Sequence, residues 1–226
     1  MTFCFESFLA NEKDDERITD DNEVRKEILM AIEDDNISKL GRLLSKAHLS
    51  APMNILNQTI IHLAVMFATP ELIKILMDYV DKTADKTTSG MTPLHCASQV
   101  VHGCVQNCIE KWPENLNSFC SKKMSPLMYA LENSLYHTAI GLIMETNTDI
   151  SLRDENGNNM LFYLAEFPKL RAINLFKCLL KKLKKEMLTG VNKNGCSAIQ
   201  FFANKDLIKM LFVAGKGIYK DFFCAC

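Results

Sequence analysis

The sequence has no run of about 18 or more uncharged apolar residues, the length a membrane-spanning helix requires, so no membrane span is expected. With only 9 Gly and 6 Pro in 226 residues, it is not a low-complexity chain. There is no Gly-x-Gly-x-x-Gly and no P-loop, so nothing in the chain calls for a nucleotide, and no cofactor is expected. The N-terminus lacks a basic n-region and carries Glu6 among its few apolar residues, so a secretory leader is not expected. Tryptophan is nearly absent, Trp112 being the only one. What the chain does have is 48% hydrophobic and 23% charged residues, enough apolar material for one folded domain or a repeat array. Its nine cysteines are odd in number and scattered, which reads as reduced thiols in a cytoplasmic or nuclear protein.

The net charge of −1 hides a lopsided distribution. Residues 1–35 hold 12 acids and 4 bases, while the stretch Lys169–Asp221 holds 12 bases and 3 acids. Such a pair of faces either steers partners of opposite sign or is simply solvated.

The strongest signal is internal repetition. Met91-Thr-Pro-Leu-His-Cys-Ala97 has a counterpart 33 residues earlier, Thr59-Ile-Ile-His-Leu-Ala64, and another 33 later, Ser125-Pro-Leu-Met-Tyr-Ala130. The apolar residue of the motif falls at Ile28, Ile61, Leu94 and Leu127 in steps of 33, then at Leu161 and Ile199 after steps of 34 and 38. A second anchor, Leu43, Leu76, Ile109, Leu142 and Phe176, keeps the same beat. So does a third, Leu40, Ile73, Gln106, Ala139 and Ile173. Pro93 and Pro126 suit the first turn of a helix, where a missing N–H costs nothing, and Thr92 and Ser125 precede them as N-caps. Small residues at Ala64, Ala97 and Ala130 allow close helix packing. Apolar residues at 72, 73, 75 and 76 then mark a second helix with one buried stripe.

The Thr-Pro-Leu-His-x-Ala motif and its period resemble the ankyrin-repeat family across residues 21–224. The resemblance implies an all-α solenoid of about six helix-turn-helix repeats with projecting β-hairpin fingers. The repeats would run at about 21–53, 54–86, 87–119, 120–153, 154–191 and 192–224, the last truncated, behind an acidic tail or cap at 1–20. Repeat five is expected to carry a long second helix from Ile173 to Met187, and repeat six to end in Leu211-Phe-Val-Ala-Gly215. Six repeats with a long fifth and a cramped sixth also resemble the IκB inhibitors of NF-κB. Residues 1–35, however, contain no Asp-Ser-Gly degron, and an acidic Pro-rich tail of the IκB kind is not expected.

For chemistry, the tempting residues are histidines and cysteines. In the family the motif histidine ties neighbouring loops together, which is the role expected of His62 and His95. Met128, Phe162 and Gln200 occupy the same position later, so those repeats must be joined differently. His102, Cys104, Cys108 and Cys120 match no common zinc spacing, and no metal is expected. The rival to a binding role is an enzyme or metal-binding subunit built on His95, Cys104 and Cys120. Lys181–Lys185 reads as the solvated end of a helix, as an acid-binding patch, or as a nuclear localisation signal. Cys224 and Cys226 resemble a Cys-x-Cys lipidation ending.

Ankyrin arrays bind through finger tips and the exposed side of their first helices. The register places tip residues at Gln58, Met91, Met124, Asn158 and Cys196. It places exposed first-helix pairs at Met66–Phe67, Gln99–Val100, Glu132–Asn133 and Glu166–Phe167. Large apolar residues at Met66, Phe67, Met91 and Met124 are unusual for a solvated face, and methionine adapts to varied partner shapes. The expectation is therefore a monomeric, non-enzymatic, cytoplasmic protein that binds one or more proteins. Nucleic acid and membrane are not expected as direct partners.

Overall fold

The computed structural model describes residues 19–44, 52–80, 86–101, 104–167 and 169–204. Among these residues the chain forms twelve α-helices and no strand. None of the helices is long and apolar enough to cross a membrane. The chain divides into two compact units, Met1–Asn115 and Leu116–Cys226.

In the first unit the helices come in pairs: α1 (Thr19–Glu33) with α2 (Ile37–Leu43), α3 (Ile60–Phe67) with α4 (Pro70–Tyr79), and α5 (Pro93–Ala97) with α6 (Val105–Lys111). A 3₁₀ turn follows at Pro113–Asn117. Helix α1 buries Ile28, Leu29, Ala31 and Ile32, an i, i+1, i+3, i+4 stripe. Helix α3 is apolar almost all round and buries Ile60 to Val65, as a helix flanked on several sides must. Helix α4 is amphipathic and buries Leu72, Ile73, Leu76 and Met77. Its start is fixed by the Thr69 hydroxyl accepting from Leu72 N–H, by Pro70 in the first turn, and by Glu71 beside the positive end of the helix dipole. First helices pack on first helices, α1 on α3 and α3 on α5, while α4 packs on α6. No pair can bury its own faces, so the stacking supplies the core.

The second unit repeats the scheme with α7 (Pro126–Glu132) and α8 (Tyr136–Met144), then α9 (Met160–Glu166) and α10 (Lys169–Leu179). Helices α11 (Lys185–Thr189) and α12 (Ala198–Asn204) follow. Helix α7 packs on α9 and α9 on α12, while α8 packs on α10. The expected single helix from Ile173 to Met187 is not formed. Helix α10 ends at Leu179, and residues 180–184 turn before the short α11 begins. The turn that replaces it is tied down by Lys182, whose ammonium donates to the carbonyls of Ile143 (2.8 Å) and Glu145 (2.5 Å). Those carbonyls belong to the C-terminal end of α8, where backbone acceptors lack helical partners and a cation suits the dipole. The expected tail or cap at 1–20 is entered by α1, which begins at Thr19. Its other residues, the ending Leu211–Gly215, His102, Cys224 and Cys226 lie outside the described residues.

Between helix pairs the backbone makes the same tight turn five times. Asn57, Gly90, Lys123, Gly157 and Gly195 all have positive φ, and each donates its N–H to a carbonyl three residues back. Neighbouring turns are joined by one backbone bond apiece: Thr88 N–H to Leu56 O (2.8 Å) in the first unit, Glu155 to Lys122 O and Lys193 to Asn156 O (both 2.9 Å) in the second. The approach is close at Gly157, where a side-chain carbon would stand 3.3 Å from the Cα of Asn192, so glycine is required there for space as well as for φ. Isolated antiparallel bridges, Arg153 with Asn159 and Val191 with Ser197, flank the last two of these turns.

Candidate partner-binding surfaces

The motif residues explain how each turn is tied to the next helix. In the first unit Thr59 and Thr92 are N-caps of α3 and α5, and each forms a reciprocal capping box with the histidine three residues on. Nδ1 of His62 accepts the Thr59 N–H at 3.2 Å, which leaves its hydrogen on Nε2 to donate to Met91 O at 3.3 Å. The histidine therefore ties one turn to the next, as expected. His95 is equally buried and accepts the Thr92 N–H at 3.2 Å.

Where histidine is missing, two other solutions appear. Ser197 and Gln200 form the same capping box, with Ser197 N–H donating to Gln200 Oε1 at 2.8 Å. At Asn159 the cap itself makes the bridge. Its Oδ1 accepts Leu161 N–H (3.0 Å), while its Nδ2 donates to Met187 O (2.7 Å), 28 residues on.

The residues of the rival chemistry are bonded to separate partners. The thiol of Cys104 donates to Val65 O at 3.2 Å. Cys120 lies 3.5 Å from the Tyr129 hydroxyl. Among the described residues no group of three or more His, Cys, Asp or Glu is placed to hold a metal ion. Burial pushes the Cys96 thiol up to about 12, and a hydrogen bond to Cys104, reinforced by burial, holds Cys108 well above the ordinary thiol range. Cys104 is held lower by that same bond from Cys108, but it too is buried. A nucleophilic thiolate needs access, which none of the three has. Native protein treated with iodoacetamide at pH 8 should therefore be labelled at the half-buried Cys178 and Cys196, with Cys96, Cys104 and Cys108 protected until denaturant is added. Peptide mass spectrometry reads the outcome, and rapid native labelling of Cys104 would contradict it.

The expected surface residues divide. In the first unit Gln58, Met66, Phe67, Met91, Gln99 and Val100 are all half-buried at the surface. Gln58 is held inside its own turn by Asn54 Nδ2, at 2.8 Å. Gln99 Nε2 lies 3.8 Å from Met91 Sδ, so these two are brought together. In the second unit Glu132, Asn133 and Glu166 are exposed. The Asn133 amide donates back to Tyr129 O at 2.9 Å. Asn158 is half-buried, its Oδ1 accepting from Asn192 Nδ2 at 2.9 Å.

Met124 and Phe167 are not surface residues: they are 4% and 3% exposed. Each adjoins a helix end, Met124 just before the Ser125 cap and Phe167 as the C-cap of α9, where a large apolar side chain gains more by folding inward than by facing water. The reading by register missed Ile55 and Leu56. They are 71% and 44% exposed and occupy the two positions before the positive-φ residue of the first turn. The other four turns place Thr88-Ser89, Ser121-Lys122, Glu155-Asn156 and Lys193-Asn194 there, all polar. Comparing those five positions would have found the exception. Val101, 82% exposed, was missed as well.

Stacked helix pairs, Thr-x-x-His capping boxes and repeated tight turns define an ankyrin-repeat architecture. Residues 28–109 match the family model described as "Ankyrin repeats (3 copies)", and this stretch of the chain consists of ankyrin repeats. No curated protein matches the chain. Ankyrin repeats are in general protein–protein interaction modules, and the family is typically non-enzymatic.

Proposed function

We propose that the chain is a non-catalytic binding module that holds a partner protein on the apolar surface of residues 52–101. The observation that carries this reading is the pair Ile55 and Leu56, exposed at turn positions that are polar in the other four turns. Met66, Phe67, Met91 and Val100 add half-buried apolar area in the same unit. A few apolar anchors usually carry most of an interface's free energy. The partner is accordingly a protein that offers apolar side chains, and the capping histidines serve to hold the turns that present these anchors. Exposed Glu132, Asn133 and Glu166 would lie at polar contacts. The narrower reading, inhibition of a transcription factor in the manner of the IκB proteins, rests on the resemblance in repeat lengths alone.

The test is a double variant, Ile55→Ser with Leu56→Ser, which gives this turn the polarity of the others. Both side chains are largely outside the core, so circular dichroism and thermal melting should be unchanged. Capture of interacting proteins from the native cell should lose the specific partner, with affinity falling about tenfold or more, the scale of a lost anchor. A variant that folds and still captures the same protein at full strength would overturn the reading.

A further inference from the structure

Resting on the reading of the chain as a protein-binding module, we propose that the pocket between the lysine turn 180–184 and the turn 146–151 is a second binding site, which takes an acidic, carboxylate-rich segment of a partner protein. The pocket has a volume of about 340 Å³, and its polar wall includes Thr146, Thr148, Ser151, Lys181, Lys182 and Lys184.

Three features make this more than a run of surface lysines. First, the run is not a helix face. It lies in the turn between α10 and α11, and three of its ammonium-bearing side chains line one concavity. Second, the turn is pinned. Lys182 is committed to the carbonyls of Ile143 and Glu145 at the end of α8, which fixes the turn beside residues 146–151. Lys181 and Lys184 flank this anchor and are exposed, and among the described residues neither ammonium has a hydrogen-bond acceptor. Third, the single carboxylate lining the pocket is engaged through one of its oxygens. Asp149 Oδ1 accepts both the N–H (2.9 Å) and the hydroxyl (2.6 Å) of Ser151. These bonds hold its carboxyl below the usual range, and the charge of Lys184 adds to the effect. Two ammonium groups, those of Lys181 and Lys184, are thus left for a ligand beside one carboxylate whose Oδ1 is already engaged.

The chemistry of the wall selects the ligand. Ammonium groups and hydroxyls recognise anions. No aromatic ring and no arginine lines the pocket, so a base would find nothing to stack on, and single-stranded nucleic acid is not the favoured ligand. Ile150 and Met187, both buried, form an apolar floor suited to the methylenes of a glutamate side chain.

The experiment titrates a fluorescein-labelled hexaglutamate peptide into the full chain and follows anisotropy. Saturable binding is expected, and it should weaken as salt rises because exposed charges are screened over about 8 Å at physiological ionic strength. Lys181→Gln with Lys184→Gln should weaken it roughly fivefold, the scale of two exposed ion pairs. Lys177→Gln with Lys193→Gln removes the same charge outside the pocket and should leave the affinity within about twofold of wild type. Amide shifts on binding should cluster at residues 146–151 and 180–187. Equal loss in both double variants would mean diffuse attraction and would overturn the site. So would the absence of saturable binding, or tighter competition by a single-stranded RNA homopolymer than by unlabelled hexaglutamate. The Ile55→Ser, Leu56→Ser variant should bind hexaglutamate as wild type does, so failure of the apolar surface and failure of this pocket are read separately.

Discussion

Leu76→Ala is expected to lower the stability of the chain by roughly 2–5 kcal/mol, measured by urea unfolding. Leu76 is fully buried in α4, a helix that packs on both α3 and α6. Truncation removes apolar area from the core and leaves a cavity that helices pinned by caps at Thr59, Thr69 and Thr92 cannot easily collapse. The effect should also be local. In a repeat array each element contacts only its neighbours, so hydrogen exchange should lose protection first in residues 60–111 and later elsewhere. Uniform loss of protection from residue 19 to residue 204 would show a cooperative fold in place of a modular one.

Asp154→Ala should cost about 3 kcal/mol, since hydrogen bonds to a charged group contribute roughly 1.5–3 kcal/mol each but do not add fully. This buried carboxylate organises a whole turn. Oδ1 accepts the N–H groups of Asn156 and Asn158, both at 2.8 Å, and Oδ2 accepts the Tyr163 hydroxyl at 2.7 Å and the Asn158 amide at 3.2 Å. Asp154→Asn keeps one acceptor oxygen for the two backbone donors and should recover part of the loss. Tyr163 supplies an independent readout. Burial raises its phenol first, and the bond to Asp154 raises it further, so tyrosinate absorbance in the alanine variant should appear at lower pH than in wild type. The raised phenol favours the native state while Tyr163 is protonated. Its contribution is whole below the unfolded phenol value of about 10 and is lost as pH climbs above it. Tyr163→Phe should therefore flatten part of the alkaline loss of stability. An unchanged Tyr163 titration in Asp154→Ala would sever the link between the two residues.

Much of the fold can be read in the sequence because the repeat is local chemistry. Thr59, Thr92 and Ser125 declare helix starts, Pro93 and Pro126 confirm two of them, and the histidines at 62 and 95 stand at the one capping-box position from which a ring can reach the next turn. Three things could not be read. The break after Leu179 is hidden because Leu180, Leu183 and Met187 continue a helical spacing. The turn that follows is tied by Lys182 to two carbonyls nearly forty residues back, long-range contacts with no local punctuation. The double role of Asn159 is hidden because an asparagine cap looks the same whether or not its amide finds Met187. The burial of Met124 and Phe167 is hidden because register fixes where a Cα stands, and not the rotamer its side chain adopts. The exposed pair at Ile55 and Leu56 is legible when the turn centres are aligned, and invisible when the residues just before the caps are.

The single backbone bond that joins each turn to the next, with a few side-chain bridges beside it such as those of Asn57 and His62 or of Arg153, Asn159 and Asn192, has a mechanical consequence. Under tension applied along the chain, load within a unit passes from junction to junction, since among the described residues no extended sheet shares it across many bonds in parallel. Each helix pair that lets go pays out about 33 residues, or roughly 110 Å of slack, before the next junction bears the strain. Such a chain yields as a row of press-studs does, one fastening after another, and recloses over short segments when the tension is released.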